Sequence, residues 1–145
     1  LTQVPIQQRF AITGSVNQFG EVQAIGGVNE KIEGFFDLCS ARGLDGTQGV
    51  VIPAASIRHL MLREDVVQAA AEGRFHIHAV KTVDEAMTVL TGVEAGEPDA
   101  KGVIPKGTLN HKIATVLAEM TAARHAYSDA EGAAGARQHR RRHGV

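Results

Sequence analysis

An α/β domain with strands paired partly in parallel is predicted by three observations. Short apolar runs alternate along the chain with segments of helical period. One run, Gly49-Val50-Val51-Ile52-Pro53, is apolar throughout, as suits a strand buried on both faces. The segments between carry helix start and stop signals, among them the capping box Thr82-Val83-Asp84-Glu85.

Taken in order, Phe10 to Val16 alternates apolar with small or polar residues, Asn17-Gln18-Phe19-Gly20 has turn chemistry, and Glu21 to Ile25 alternates again. This predicts a β-hairpin. Gly26-Gly27 changes the period. From Val28 to Arg42 the apolar residues Val28, Ile32, Phe35, Phe36 and Cys39 mark one face of a helix, with Gly43 placed to end it. After the strand 49–53, helices are expected over Ser56–Leu62 and Glu64–Ala71, the second stopping at Gly73. A strand is expected over Phe75–Val80, and a helix from the capping box to Leu90, with Gly92 beyond. Glu94 to Asn110 holds Gly96, Pro98, Gly102, Pro105 and Gly107 and reads as a linker. One more helix fits His111 to Tyr127, with Ile113, Val116, Leu117 and Met120 on one face. Ser128 to Val145 is Ala, Gly and Arg without an apolar period, and disorder is expected there. The expected organisation is a domain over 1–92, a linker and helix over 93–127, and a basic tail over 128–145.

Composition bounds the function. The chain has 145 residues, one domain's worth, with 43% apolar and 21% charged side chains, near globular averages. No apolar run is long enough for a membrane span, and no secretory leader pattern is present. It opens at Leu1 without an initiator Met, so a chain cut from something longer, or trimmed, is expected. The single cysteine, Cys39, allows neither an internal disulfide nor a Cys-based zinc site, which favours a reducing, cytoplasmic setting. Arg137, Arg140, Arg141 and Arg142 give the last nine residues a charge of +4. The 11 basic and 16 acidic residues before them leave the body at −5. Nucleic acid is therefore not expected as a partner of the main surface, and neither is a membrane.

Lys31 does not fit its helix. With Val28 at zero on the helical wheel, Cys39 falls at about 20°, Ile32 at about 40°, Phe35 at about 340° and Lys31 at about 300°. Lys31 thus lies at the edge of the apolar face, with Asn29, Glu30, Glu33 and Asp37 on the opposite side. It is also in the first turn, where the helix dipole disfavours a cation. Partial desolvation and the dipole would both favour a neutral amine, as a general-base lysine needs. The same position also suits a lysine that lays its stem on Phe35 and sends its ammonium to water.

The stretch Ala11-Ile12-Thr13-Gly14-Ser15-Val16, and then Ala24-Ile25-Gly26-Gly27-Val28-Asn29-Glu30-Lys31, resembles the proteolytic domain of Lon-type ATP-dependent proteases. Thr13 and Lys31 stand 18 residues apart, as do that family's threonine and lysine, and Val50-Val51-Ile52-Pro53 matches its apolar run ending in Pro. The resemblance runs from about Phe10 to Gly92. It is closest to the Lon-related branch with Val-Asn-Glu-Lys-Ile-Glu-Gly-Phe-Phe (Val28 to Phe36) at the helix start. It implies a ribosomal protein S5 domain 2-like fold lacking its N-terminal strands, and a serine endopeptidase with a Ser/Lys dyad. By resemblance Lys31 is the catalytic base, Thr13 orients it, and Gly14, Gly26 and Gly27 are structural, letting backbone pass close to the site. The family's serine lies about forty residues before the lysine, ahead of residue 1, so the chain alone is expected to be inactive. Unfolded or misfolded proteins are the implied substrates. The resemblance implies an upstream ATPase module that would carry ATP and Mg, and a homohexamer; this chain itself has no P-loop, and no cofactor of its own is expected.

Other constellations weigh less. Ser15 is near Thr13 but nothing supplies an oxyanion hole. His76 and His78 share a strand face, which is half a metal site without a third ligand, so no metal is expected. Gly26-Gly27 at a helix start could cradle an anion, but Glu30 and Glu33 oppose it. The arginine tail could touch nucleic acid or an acidic partner. Cys39 falls on the apolar face and reads as core. The competing function is a non-catalytic S5-like module for assembly or adaptor binding, with Lys31 a surface charge.

Overall fold

The computed structural model describes the backbone of residues 1–143 and side chains through Ser128. It divides into two units, Val4–Glu97 and Leu1–Gln3 with Pro98–Val145.

The first unit is built on a three-stranded parallel sheet of order β1-β4-β5: β1 (Phe10–Ile12), β4 (Gly49–Pro53) and β5 (His76–Val80). Every residue of β4 is buried, as its unbroken apolar run requires of a central strand. Register pairs Ala11 with Val50 and Val50 with Ile77 on one face, and Val51 with His78 on the other. Gly49 lies between Phe10 and His76, and a Cβ there would sit 2.5 Å from the His76 carbonyl oxygen. Only glycine lets the strands approach at that point.

Each face has its helices. On one, α1 (Val28–Arg42) and α2 (Glu64–Ala71) put Val28, Ile32, Phe36, Cys39, Val66 and Ala69 against Val50, Ile52 and Phe75. Phe36 meets Phe75 edge-on at 5.3 Å between ring centroids. On the other, α3 (Val83–Thr91) places Ala86 and Leu90 against Val51 and Val80. Thr82 accepts from the Glu85 amide at 3.2 Å, as the capping box predicts, and Gly92 closes α3 at φ 72°.

The hairpin is shorter than expected. The run from Phe10 breaks at Thr13-Gly14. Its first part, β1, joins β4 in parallel, and only β2 (Ser15–Val16) pairs antiparallel with β3 (Val22–Gln23). One alternating sequence thus serves two sheets. Asn17 holds the turn, its Oδ1 accepting from the amides of Phe19 and Glu21, both at 3.0 Å. The helix expected over Ser56–Leu62 is a 3-10 segment, Ala54–His59.

In the second unit, Asp99 Oδ1 accepts from the amides of Lys101 and Val103 and shapes a tight turn. Thr108 Oγ1 accepts from the His111 amide at the start of α4 (Leu109–His143). The helix continues where disorder was expected from Ser128. Alanine, the best helix former, recurs through that stretch. The side chains of the arginine tail lie outside the described residues.

Candidate active site

The Thr13 amide donates to the Val51 carbonyl at 3.0 Å, adding one rung to the β1–β4 ladder. Two residues beyond Ala11, Thr13 follows the parity of the face on which Ala11, Val50 and Ile52 meet α1. Lys31 sits in the first turn of that helix, its amide donating to the Gly27 carbonyl at 3.2 Å. The two sequence-predicted residues therefore stand on elements that share one side of the sheet. Among the described residues no hydrogen bond joins their side chains.

The Lys31 side chain is exposed, not pressed against the apolar face. Phe36, at about 80° on the wheel, is buried with Val28, Ile32 and Cys39, whereas Phe35 is only half-buried. The buried stripe is thus centred further from Lys31 than the edge position assumed. The desolvation expected of the amine is not supplied by these residues.

The glycines divide. Gly27 caps α1 at φ 69°, a left-handed conformation that favours glycine. A Cβ on Gly14 would lie 3.1 Å from Val22 Cγ1 and 3.3 Å from Pro53 Cγ, so it permits the hairpin to pack on the end of β4. A Cβ on Gly26 would meet nothing within 4 Å, so close passage of backbone is not what requires glycine there.

Sequence reasoning missed the role of the polar side of α1. Asn29, Glu33 and Asp37, four apart, all grip the segment after the 3-10 turn. Asn29 donates to the His59 carbonyl at 3.2 Å and accepts from the Met61 amide at 3.0 Å, and Glu33 accepts from the Arg63 amide at 2.9 Å. Asp37 takes both Arg63 Nη atoms, and this pairing holds its carboxyl below the usual carboxylate range. The i, i+4, i+8 spacing of acceptors was the available signal.

An open groove of about 710 Å³ runs between the Glu21–Ala24 segment and Ala54, Ala55, with Lys81 and Thr82 at its side. Along the chain, Ala24 leads through Gly26-Gly27 into the Lys31 turn. Of the serines, Ser15 and Ser40 are exposed and Ser56 is buried with an unpartnered hydroxyl. His76 Nε2 is 2.8 Å from the Gly46 carbonyl oxygen, and no group of three metal-ligating side chains occurs among the described residues. Burial raises the Cys39 thiol pKa, which suits a core residue. No helix among the described residues is long and apolar enough to cross a membrane.

Residues 1–92 match the family described as Lon protease (S16) C-terminal proteolytic domain. The chain belongs to this Lon family. Over 90 residues it is 54% identical to a Lon protease homolog of Escherichia coli (strain K12), covering 62% of this chain and 15% of that protein. A Lon protease homolog of Haemophilus influenzae is 49% identical over 92 residues, 63% of this chain and 15% of the other. An archaeal Lon protease of Methanocaldococcus jannaschii is 38% identical over 90 residues, 62% of this chain and 11% of the other. The chain thus spans a small fraction of the length of these Lon relatives. The matched stretch includes Thr13, Gly14, Gly26, Gly27 and Lys31, and the mixed α/β fold with its parallel sheet is consistent with the Lon proteolytic domain.

Proposed function

We propose that this chain is the lysine-bearing part of a Lon-type serine endopeptidase that degrades unfolded proteins. In this reading Lys31 takes the proton from a serine hydroxyl supplied by sequence preceding residue 1, and later returns it to the leaving amine. Thr13 aims the lysine, and Gly14 and Gly27 fix the backbone around it. The observation that carries the reading is the family match spanning both Thr13 and the Gly26–Lys31 helix start, on elements that share one face of the sheet.

Because Lys31 is exposed in these residues, the reading demands that a neighbouring segment or the substrate cover it. Only then is the amine desolvated enough to serve as base. An extended substrate would lie in the groove between Glu21–Ala24 and Ala54–Ala55. The S5-like topology, an ATPase module carrying ATP and Mg upstream, and assembly as a hexamer in the cytoplasm complete the proposal.

The test uses a protein extended upstream to include the serine motif, assayed with a fluorogenic peptide and unfolded casein. Cleavage by the wild type that is lost in Lys31→Met supports the dyad, and proteolysis retained by Lys31→Met overturns it. The exposure of Lys31 favours a second reading, a non-catalytic assembly or adaptor-binding module. A residue other than serine at the upstream motif position would select it.

A further inference from the structure

We propose that α4 carries a docking seam for a second copy of this chain, joined in parallel as a two-helix coiled coil. In sequence, Ile113, Val116, Met120, Ala123, Tyr127, Ala130 and Ala134 recur at alternating steps of three and four, a heptad rhythm sustained over three repeats. Arg137 and Arg141 take the next two positions in the series and end the apolar run. Leu109 would precede the series but is already buried within the chain, so the open seam begins at Ile113.

The described part of this face is largely exposed from Met120 onward. Met120 is 54% exposed, and Leu117, flanking the seam, is 47% exposed, while Ile113 and Val116 are half-buried. An apolar stripe of this kind on a long helix is stabilised by a partner helix that buries the same stripe.

Charge selects the occupant. With Ile113 and Met120 at the a positions, Glu119 is at g and Arg124 at e of the following heptad. In a parallel pair, g of one helix faces that e position of the other, so Glu119 meets the partner's Arg124, and the two-fold axis makes the contact twice. Five residues apart on one helix, Glu119 and Arg124 are not neighbours, and neither forms an ion pair among the described residues. An antiparallel pair sets g against g and e against e and does not bring these two charges together. Ala123, at a d position beside them, lets the helix backbones approach closely. The seam lies beyond residues 1–92, so the inference does not depend on the protease reading.

Sedimentation equilibrium of the 145-residue chain over a wide concentration range tests it. The expected result is a mass rising to twice the monomer's, with association weakened at least tenfold by Met120→Asp. Glu119→Lys and Arg124→Glu should each weaken association several-fold, and the double charge swap should restore it. All three positions are exposed, and circular dichroism confirms that each variant stays folded. Introducing Ala123→Cys should give a disulfide-linked dimer under mild oxidation, as matched positions meet only in the parallel arrangement. A monomer at every concentration overturns the proposal. So does association that Met120→Asp leaves intact, which would place the contact elsewhere, or single swaps that the double swap does not rescue. Single swaps that leave association unchanged, as an antiparallel pairing would, also overturn it.

Discussion

Asn29 holds the His59–Met61 backbone with both ends of its amide, donating to the His59 carbonyl and accepting from the Met61 amide. With Glu33 and Asp37 it ties the segment leading into α2 to the polar side of α1, and so fixes the helix whose first turn bears Lys31. Asn29→Ala removes two hydrogen bonds to exposed backbone that water can in part replace. The expected cost is about 1 kcal/mol, read as a lower urea midpoint. A midpoint equal to wild type would mean that the segment is held without Asn29.

A larger loss is expected at Gly49. A methyl group there would stand 2.5 Å from the His76 carbonyl oxygen and 2.9 Å from its Cβ, and both atoms belong to β5, the strand paired with central β4. Neither atom is the free end of a side chain, so the strands must separate. Gly49→Ala should cost about 3 kcal/mol or more and lower the thermal midpoint well beyond the effect of Asn29→Ala. An unchanged midpoint would show that the ladder bends freely at this rung.

The sequence foretold α1 (Val28–Arg42), β4 (Gly49–Pro53) and α2 (Glu64–Ala71) because each is set by local signals: an apolar stripe, a two-sided apolar run, a terminal glycine. The division of Phe10–Val16 between two sheets was not legible, since alternation at period two says nothing about which strand is the partner. Lys31 drew notice as a cation at the edge of an apolar face, but its role and that of Thr13 were legible only through the resemblance to the Lon family. The exposure of Lys31 could not be foreseen, because it depends on which of Phe35 and Phe36 the core takes. The bonds from Asn29, Glu33 and Asp37 to residues some thirty positions away were hidden for the same reason, since the wheel shows a polar face but not what meets it.

The 145-residue polypeptide alone is expected to give no turnover of peptide or casein, because the proposed nucleophile lies ahead of residue 1. In the upstream-extended protein, Thr13→Val should lower kcat on the order of 10²-fold with KM little changed, as expected for loss of an orienting hydroxyl. Thr13→Ser, which keeps the hydroxyl, should retain most of the rate. Equal rates for the Val and Ser variants would remove Thr13 from the proposed machinery. Turnover by the short chain would show that a serine within it is the nucleophile.

His78 gives the fold a dependence on pH. Its Nε2 is buried without a hydrogen-bond partner, its ring meets Phe10 edge-on at 5.2 Å, and His76 lies 6.0 Å away between ring centroids. Burial, then the charges of His76 and Arg9, push its pKa below the ordinary histidine value. As pH falls below about 6.5, the unfolded chain takes up a proton at this position that the folded chain resists. Stability is then lost progressively as the pH drops through the lowered folded value. Urea midpoints measured from pH 7.5 down to 5.5 should therefore fall more steeply for wild type than for His78→Phe, which keeps the edge contact with Phe10 and cannot titrate. Groups common to both proteins cancel in the comparison. Parallel curves for the two proteins would mean that the His78 ring is protonated in the folded state as readily as in the unfolded one.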